Sequence, residues 1–255
     1  MDIATNKTKF IMNLKNELRI VQAANTAARV PGLKNLFSLF YRPYQRLMNN
    51  RRRKYFLKNG LALLNQFHRC CEENNIEYTL AFGTLLGAVR EKGFIRHDLD
   101  IDVWVWHENR PKDMEGIMSK YGFKLDHSFM VDNGNSGCEE TYIYKGVTID
   151  VFYIYDAIDS LPYCCDFHPA EGLATWEKSM DKLGYVGARR IELPFNKERT
   201  MTDFYTLSFY IPNNYHDILS LRYGSDYMIP NPGWSNGANP NIIEWSGKKA
   251  IFRFF

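Results

Sequence analysis

Hydrophobic and polar positions divide the chain into three regions, and the central one, residues 59–160, carries the clearest periodicity. Apolar residues there recur first at helical spacing and then in the short runs and alternations typical of strands. The pattern predicts a helix ending near Asn74-Asn75, a strand over Ile76–Phe82, a short helix over Leu85–Lys92 that Gly93 stops, a strand beginning at Asp98, a helix over 111–121, and strands Thr141–Tyr144 and Val147–Tyr155 joined by a tight hairpin at Lys145-Gly146.

The first region, residues 1–58, is predicted to be helical and basic. After a break at Pro31-Gly32, an apolar stripe at about 100° per residue is flanked by Lys and Arg side chains. Pro43 lies within this pattern, so we expect a kink or two short helices. A stripe of this kind suits an interfacial membrane helix, and the alternative is that it packs on the remaining body or on a second subunit. The stripe comprises Leu33, Leu36, Phe37, Phe40, Tyr44 and Leu47.

The third region, residues 161–255, is rich in aromatic residues, Pro and Gly, and its periodicity is weak. A helix over Tyr215–Tyr223 and a loop over Asn231–Pro240 are the only elements predicted there. The domain division predicted is therefore a helical arm over 1–58 and one larger domain over 59–255.

The charge distribution sharpens this division. The formal charge of +3 is unevenly distributed. Residues 1–60 contain 13 Lys and Arg and two acidic residues, whereas the remainder contains 19 Lys and Arg and 27 acidic residues. A basic arm on an acidic body favours an anionic partner, and we favour a membrane surface through residues 33–58 over nucleic acid. We expect neither a signal peptide nor a membrane-spanning segment, and hence a cytoplasmic protein with peripheral contact at the inner membrane face.

Five cysteines give an odd count with two adjacent pairs, which favours a reducing compartment over a disulfide framework. Cys164, Cys165 and His168 are a candidate zinc site, but their spacing with no clear fourth ligand is not a recognised zinc pattern.

The candidate chemistry lies in the alternation that begins at Asp98. Successive strand residues point to opposite faces, so Asp98, Asp100 and Asp102 would share one face while the intervening apolar residues enter a core. Asp150 stands in a second apolar strand, where an isolated buried carboxylate would be costly. Three carboxylates from neighbouring strands predict a site for Mg²⁺ or Mn²⁺ that acts on phosphates. The alternative for Asp150 is the solvent face of an edge strand.

Gly83-Thr84 lies between a predicted strand and the aspartates. Glycine lets a backbone approach a phosphate, Thr84 could cap the following helix, and the helix N-terminus attracts anions. Arg90 and Lys92 could bind the phosphates of a donor, or could be solvated charges at a helix C-terminus. His97 is a minor candidate as proton acceptor or ligand.

The segment Phe82–Val103, FGTLLGAVREKGFIRHDLDIDV, resembles the signature of the LicD family, which includes fukutin and its relatives. Ile211–Pro230 is similar to that family's closing pattern, and with Asn74–Tyr78 and the Asp150 strand the likeness covers about residues 60–230. Relatives usually read Pro-Trp-Asp-Asp-Asp-Ile-Asp where this chain has Arg96, His97 and Leu99 at three of the positions.

The resemblance implies an α/β (α+β) nucleotidyltransferase fold related to DNA polymerase beta, with a mixed sheet flanked by helices. It matches Gly83 and Thr84 to the family's turn, Asp100 and Asp102 to its metal-binding pair, and Asp150 to its third carboxylate. The implied reaction transfers a phosphorylated small alcohol, such as phosphocholine or an alditol phosphate, from a CDP-linked donor to a glycan or lipid-linked glycan with release of CMP. The setting would be cell-surface polysaccharide or glycolipid biosynthesis. The alternatives are a nucleotidyltransferase that releases pyrophosphate and a catalytically silent glycan-assembly scaffold.

Overall fold

The computed structural model describes residues 33–96, 98–231, 233, 234 and 241–255, without the side chains of residues 33–49, 51 and 246. Two compact units are distinguished, the first ending at Lys54 and the second running from Tyr55 to Phe255. Within the described residues, no helix combines the length and apolar composition needed to cross a bilayer.

The helices and strands of the described residues form a mixed α/β structure. The helices are α1 Leu33–Glu73, α2 Phe82–Arg90, α3 Met114–Lys120, α4 Trp176–Leu183 and α5 Tyr215–Tyr223. The strands are β1 Tyr78–Leu80, β2 Ile101–Trp106, β3 Lys124–Val131, β4 Gly137–Tyr144, β5 Val147–Ile154, β6 Tyr163–His168, β7 Val186–Glu192, β8 Arg199–Phe204, β9 Leu207–Pro212 and β10 Ile242–Phe254.

Eight strands form one mixed sheet in the order β1-β2-β5-β4-β3-β10-β7-β6, and β8 and β9 form a separate hairpin. β2 and β5 run parallel, whereas the other neighbours in the large sheet pair antiparallel. β5 lies between β2 and β4, so the alternative that Asp150 marks an edge strand is wrong. The predicted hairpin is confirmed, because β4 and β5 pair antiparallel across Lys145 and Gly146, which both have positive φ.

The two faces of β2 are covered by different helices. Val103 and Val105 are buried on the face shared with Tyr78, where Phe67 of α1 packs against the Tyr78 ring at 5.1 Å between centroids. On the opposite face, Phe82 at the start of α2 contacts the Trp104 ring at 5.0 Å. The strand is therefore held between two apolar layers.

Several local predictions differ from the structure. Of the two alternatives predicted at Pro43, two short helices are not observed, since α1 is continuous from Leu33 to Glu73. The missing amide of one proline removes only one helical hydrogen bond. The strand predicted over Ile76–Phe82 is limited to β1, because α2 already begins at Phe82. The helix Tyr215–Tyr223 is confirmed. The predicted loop Asn231–Pro240 lies largely outside the described residues.

Candidate active site

Three carboxylates meet at the end of the parallel pair β2 and β5. Asp102 and Asp150 are partners in the strand register, so they lie side by side on the same face of the sheet. Asp100 precedes β2 by one residue and has the same parity as Asp102. One oxygen from each of the three lies within 4.8 Å of the others, and within the described part of the chain these are the three residues so grouped for a metal ion. The geometry brings the three predicted ligands together.

The backbone at Asp102 is fixed to α2 from both sides. The Asp102 amide donates a hydrogen bond to the Thr84 hydroxyl at 3.0 Å, and the Asp102 carbonyl accepts one from the Ala81 amide at 3.0 Å. The expectation that Thr84 caps the helix is therefore wrong. The helix starts two residues earlier at Phe82, and Ala81 occupies the N-cap position without a side-chain bond. Thr84 instead fixes the position of β2, which carries Asp102.

The electrostatics of the group favour a bound cation. Burial, followed by the charges of Asp100 and Asp150, raises the pKa of Asp102 well above its usual range. Burial likewise raises the pKa of Asp150 to about 6, with the Thr141 hydrogen bond opposing the shift. Burial, followed by the negative charge of nearby Asp150, raises the pKa of Glu139 on β4 as well. Like charges crowded in this way are relieved by a divalent ion with hard oxygen ligands, so the donor set fits Mg²⁺ or Mn²⁺.

A cavity of about 770 Å³ opens beside the carboxylates. Asp98, Asp100 and Asp102 line it together with Gly83. A Cβ at Gly83 would lie 2.9 Å from the Asp98 carboxylate, so glycine allows this close approach. Its apolar wall includes Phe82, Phe152, Tyr223, Tyr227, Ile229 and Trp234.

Two arginines also line the cavity, and only one of them was predicted. Arg90 donates to the Tyr227 carbonyl at 3.2 Å and pairs with Glu91 at 2.9 Å, which holds its mostly buried side chain in place. Arg222 of α5 is 4% exposed, and its guanidinium lies over the Phe82 ring, 5.3 Å from the centroid. Arg222 stands in the Leu-Arg-Tyr-Gly segment of the sequence. Its burial beside Phe82 depends on long-range packing, which that segment alone does not reveal.

The other predicted site residues lie elsewhere or outside the description. Lys92 is exposed, does not line the cavity and reaches the Thr202 hydroxyl at 3.4 Å, so the structure separates it from Arg90. Binding of donor phosphates by Lys92 stays a prediction, and its exposed position away from the cavity does not favour it. Gly93 does not provide the left-handed residue after α2, because Lys92 does so with φ of 54°. His97 lies outside the described residues.

The two cysteines of the candidate zinc site do not point to a common centre. Cys164 and Cys165 are adjacent on β6 and point to opposite faces of the sheet. Both are buried free thiols whose pKa values burial raises, which disfavours the thiolate that zinc requires.

Comparison with known proteins matches this site region to one family. The family model described as LicD/FKTN/FKRP, nucleotidyltransferase domain, covers residues 75–214, which include all three carboxylates.

Three relatives illustrate the range of the match. Lipopolysaccharide cholinephosphotransferase LicD of Haemophilus influenzae is 53% identical over 45 residues, covering 18% of this chain and 17% of that protein. Ribitol-5-phosphate transferase FKTN of Mus musculus is 23% identical over 194 residues, covering 75% of this chain and 38% of that protein. An uncharacterized protein of Rickettsia typhi is 30% identical over 84 residues, covering 32% and 27% respectively.

The chain thus spans well under half the length of each of these relatives. The family model, in contrast, matches more than half of this chain. The protein belongs to the LicD family.

Proposed function

We propose that the protein is a metal-dependent phosphotransferase that moves a phosphorylated small alcohol from a CDP-linked donor to a glycan hydroxyl and releases CMP. The observation that carries the proposal is the group of Asp100, Asp102 and Asp150 beside a cavity lined by two arginines. The similarity to lipopolysaccharide cholinephosphotransferase LicD and to ribitol-5-phosphate transferase FKTN supports it, since both names describe transferases of a phosphorylated alcohol.

Asp100, Asp102 and Asp150 would hold Mg²⁺ or Mn²⁺. When bound, such an ion neutralises the donor's diphosphate and polarises the phosphoryl oxygens. The fit rests on oxygen ligands brought within 4.8 Å of one another and on the unfavourable crowding of their charges without a cation.

The residues around this group have separate tasks in the transfer. Arg90 and Arg222 place two positive charges on the cavity wall, where they stabilise the charge of the donor phosphates and of departing CMP. Gly83 allows the start of α2 to approach the same phosphates. Phe82, Trp234 and their aromatic neighbours exclude water from the apolar side.

The transfer forms one bond and breaks another. The acceptor hydroxyl oxygen attacks the distal phosphorus of the donor, and the bond between that phosphorus and the CMP phosphate oxygen breaks. Asp150 helps bind the metal and accepts or orients the proton of the hydroxyl. The products are a phosphodiester-linked glycan and CMP.

The test is incubation of the purified full chain and Mg²⁺ with a panel of CDP-linked donors carrying choline, ethanolamine, glycerol or ribitol, followed by mass spectrometry. We expect slow CMP release from one donor even without acceptor, and at least a hundredfold less release from Asp100→Asn. Pyrophosphate release from CTP and a phosphoalcohol would instead favour a plain nucleotidyltransferase. Unchanged activity in Asp100→Asn would contradict the metal-dependent mechanism.

A further inference from the structure

A row of polar side chains crosses four neighbouring strands and ends at the metal-binding group. In the strand register, Asp102 of β2 lies beside Asp150 of β5, Asp150 beside Thr141 of β4, and Thr141 beside His127 of β3. Register partners share a face of the sheet, so these side chains form one line on the cavity side. Two of them, Thr141 and His127, have no part in the proposed transfer.

Hydrogen bonds join this row from His127 to Asp150. The Thr141 hydroxyl lies 2.6 Å from Asp150 Oδ1, and His127 Nε2 lies 3.1 Å from the Thr141 oxygen. The other ring nitrogen, His127 Nδ1, lies 2.8 Å from Asp126 Oδ2. A threonine hydroxyl has one proton, and its shorter contact is to the Asp150 carboxylate, so Thr141 donates to Asp150 and accepts from His127 Nε2. The bonds therefore run outward from His127, whose Nε2–H donates to Thr141 and so toward Asp150, and whose Nδ1–H donates to Asp126.

The surroundings of the row fix its geometry. Thr141 is 3% exposed, so no bulk water competes for its hydroxyl. The His127 ring is enclosed by three aromatic rings, those of Phe129 at 5.4 Å, Phe252 at 5.7 Å and Trp176 at 6.0 Å between centroids. A ring held by packing on its faces and by hydrogen bonds at both nitrogens keeps one orientation.

We propose that Thr141 and His127, supported by Asp126, are positioning residues that hold the Asp150 carboxylate beside Asp100 and Asp102 for metal binding. This inference rests on the metal site of the proposed function. Partners that orient a metal ligand through hydrogen bonds commonly contribute about 10- to 100-fold to metal affinity or activity. The row adds to the site two strands, β3 and β4, that contribute no metal ligand.

The first test measures Mn²⁺ affinity of the full chain by titration calorimetry, without donor. Thr141→Val keeps the shape of the side chain and removes the bond to Asp150, and we expect about 10- to 100-fold weaker binding. Thr141→Ser keeps the hydroxyl and should stay within about threefold of the native affinity. Thr148→Val, on the same strand as Asp150 and two residues away, is the matched control and should bind as the native chain does.

A second pair of variants tests the histidine. His127→Phe fills the aromatic enclosure without a donor and should weaken Mn²⁺ binding about tenfold, whereas His127→Gln keeps a donor and should recover part of it. His168→Gln on β6 is the control, since His168 bonds the Pro169 carbonyl instead. Circular dichroism melting of each variant separates loss of fold from loss of affinity.

The outcomes distinguish the two proposals. If the native chain binds no Mn²⁺, the metal site itself fails, and the positioning role fails with it. If the native chain binds Mn²⁺ and Thr141→Val binds it equally well, the positioning role is overturned and the metal site stands. If Thr141→Val does not fold, Thr141→Ser and the two His127 variants test the positioning role instead. Equal Mn²⁺ affinity in His127→Phe and His127→Gln would contradict that role.

Discussion

Asp102→Asn should stabilise the metal-free protein while removing its response to metal. One oxygen from each carboxylate of the group lies within 4.8 Å of one oxygen from each of the other two. At that separation and an effective dielectric of 20, two unit charges repel by roughly 3.5 kcal/mol. Protonation relieves part of this cost, since burial and the neighbouring carboxylates raise the pKa of Asp102. We therefore expect a net gain of about 1–2 kcal/mol from the uncharged amide.

Differential scanning calorimetry in EDTA and in excess Mg²⁺ measures both effects. In a unit of about this size, 1–2 kcal/mol corresponds to a rise in Tm of about 2–8 °C in EDTA. Mg²⁺ at 100 times its Kd would stabilise the native chain by about 2.7 kcal/mol, and the variant should lose most of that gain. Asp159→Asn, at an exposed loop position, is the matched control and should change neither value. A lower Tm of Asp102→Asn in EDTA, or an undiminished response to Mg²⁺, would refute the reasoning.

Three further predictions concern the fold around the site and the basic arm. Thr84→Val leaves the Asp102 amide without its partner and should cost about 1–3 kcal/mol in urea unfolding, whereas Thr84→Ser should not; equal losses would contradict the role of the hydroxyl. Arg110→Met removes the partner of buried Glu140 and should cost about 3–5 kcal/mol, with partial recovery on adding Glu140→Gln; a loss below 1 kcal/mol would contradict the ion pair. If residues 33–58 contact a membrane surface, the full chain should sediment with anionic vesicles at low salt and be released at high salt. No binding at low salt would exclude the membrane interpretation.

Local patterns in the sequence predicted the elements that place Asp100, Asp102 and Asp150. The two-residue period placed Asp100 and Asp102 on one face, and Lys145-Gly146 predicted the hairpin that leads into the Asp150 strand. These features depend on neighbours within a few positions, so a single sequence carries them. The strand itself begins at Ile101, later than predicted, with Asp100 in the bend just before it and Asp98 in irregular structure.

Long-range pairing explains what the sequence did not predict. β10 lies between β3 and β7, so its position depends on strands far away along the chain. The strands β6 to β9 lie in the region where periodicity is weak, and cross-strand packing rather than alternation defines them. Thr141 and His127 were missed for the same reason, because only the register of three strands brings them to Asp150.

The central claim is metal-dependent cleavage at the distal phosphorus of a CDP-linked donor, and isotope placement tests it most directly. The full chain, Mg²⁺ and the donor that releases CMP are incubated in ¹⁸O-labelled water without acceptor, so that water replaces the glycan hydroxyl. Mass spectrometry should find the label in the phosphoalcohol and none in CMP, with no turnover in EDTA or in Asp100→Asn. Label in CMP would show attack at the proximal phosphorus and contradict the proposed transfer.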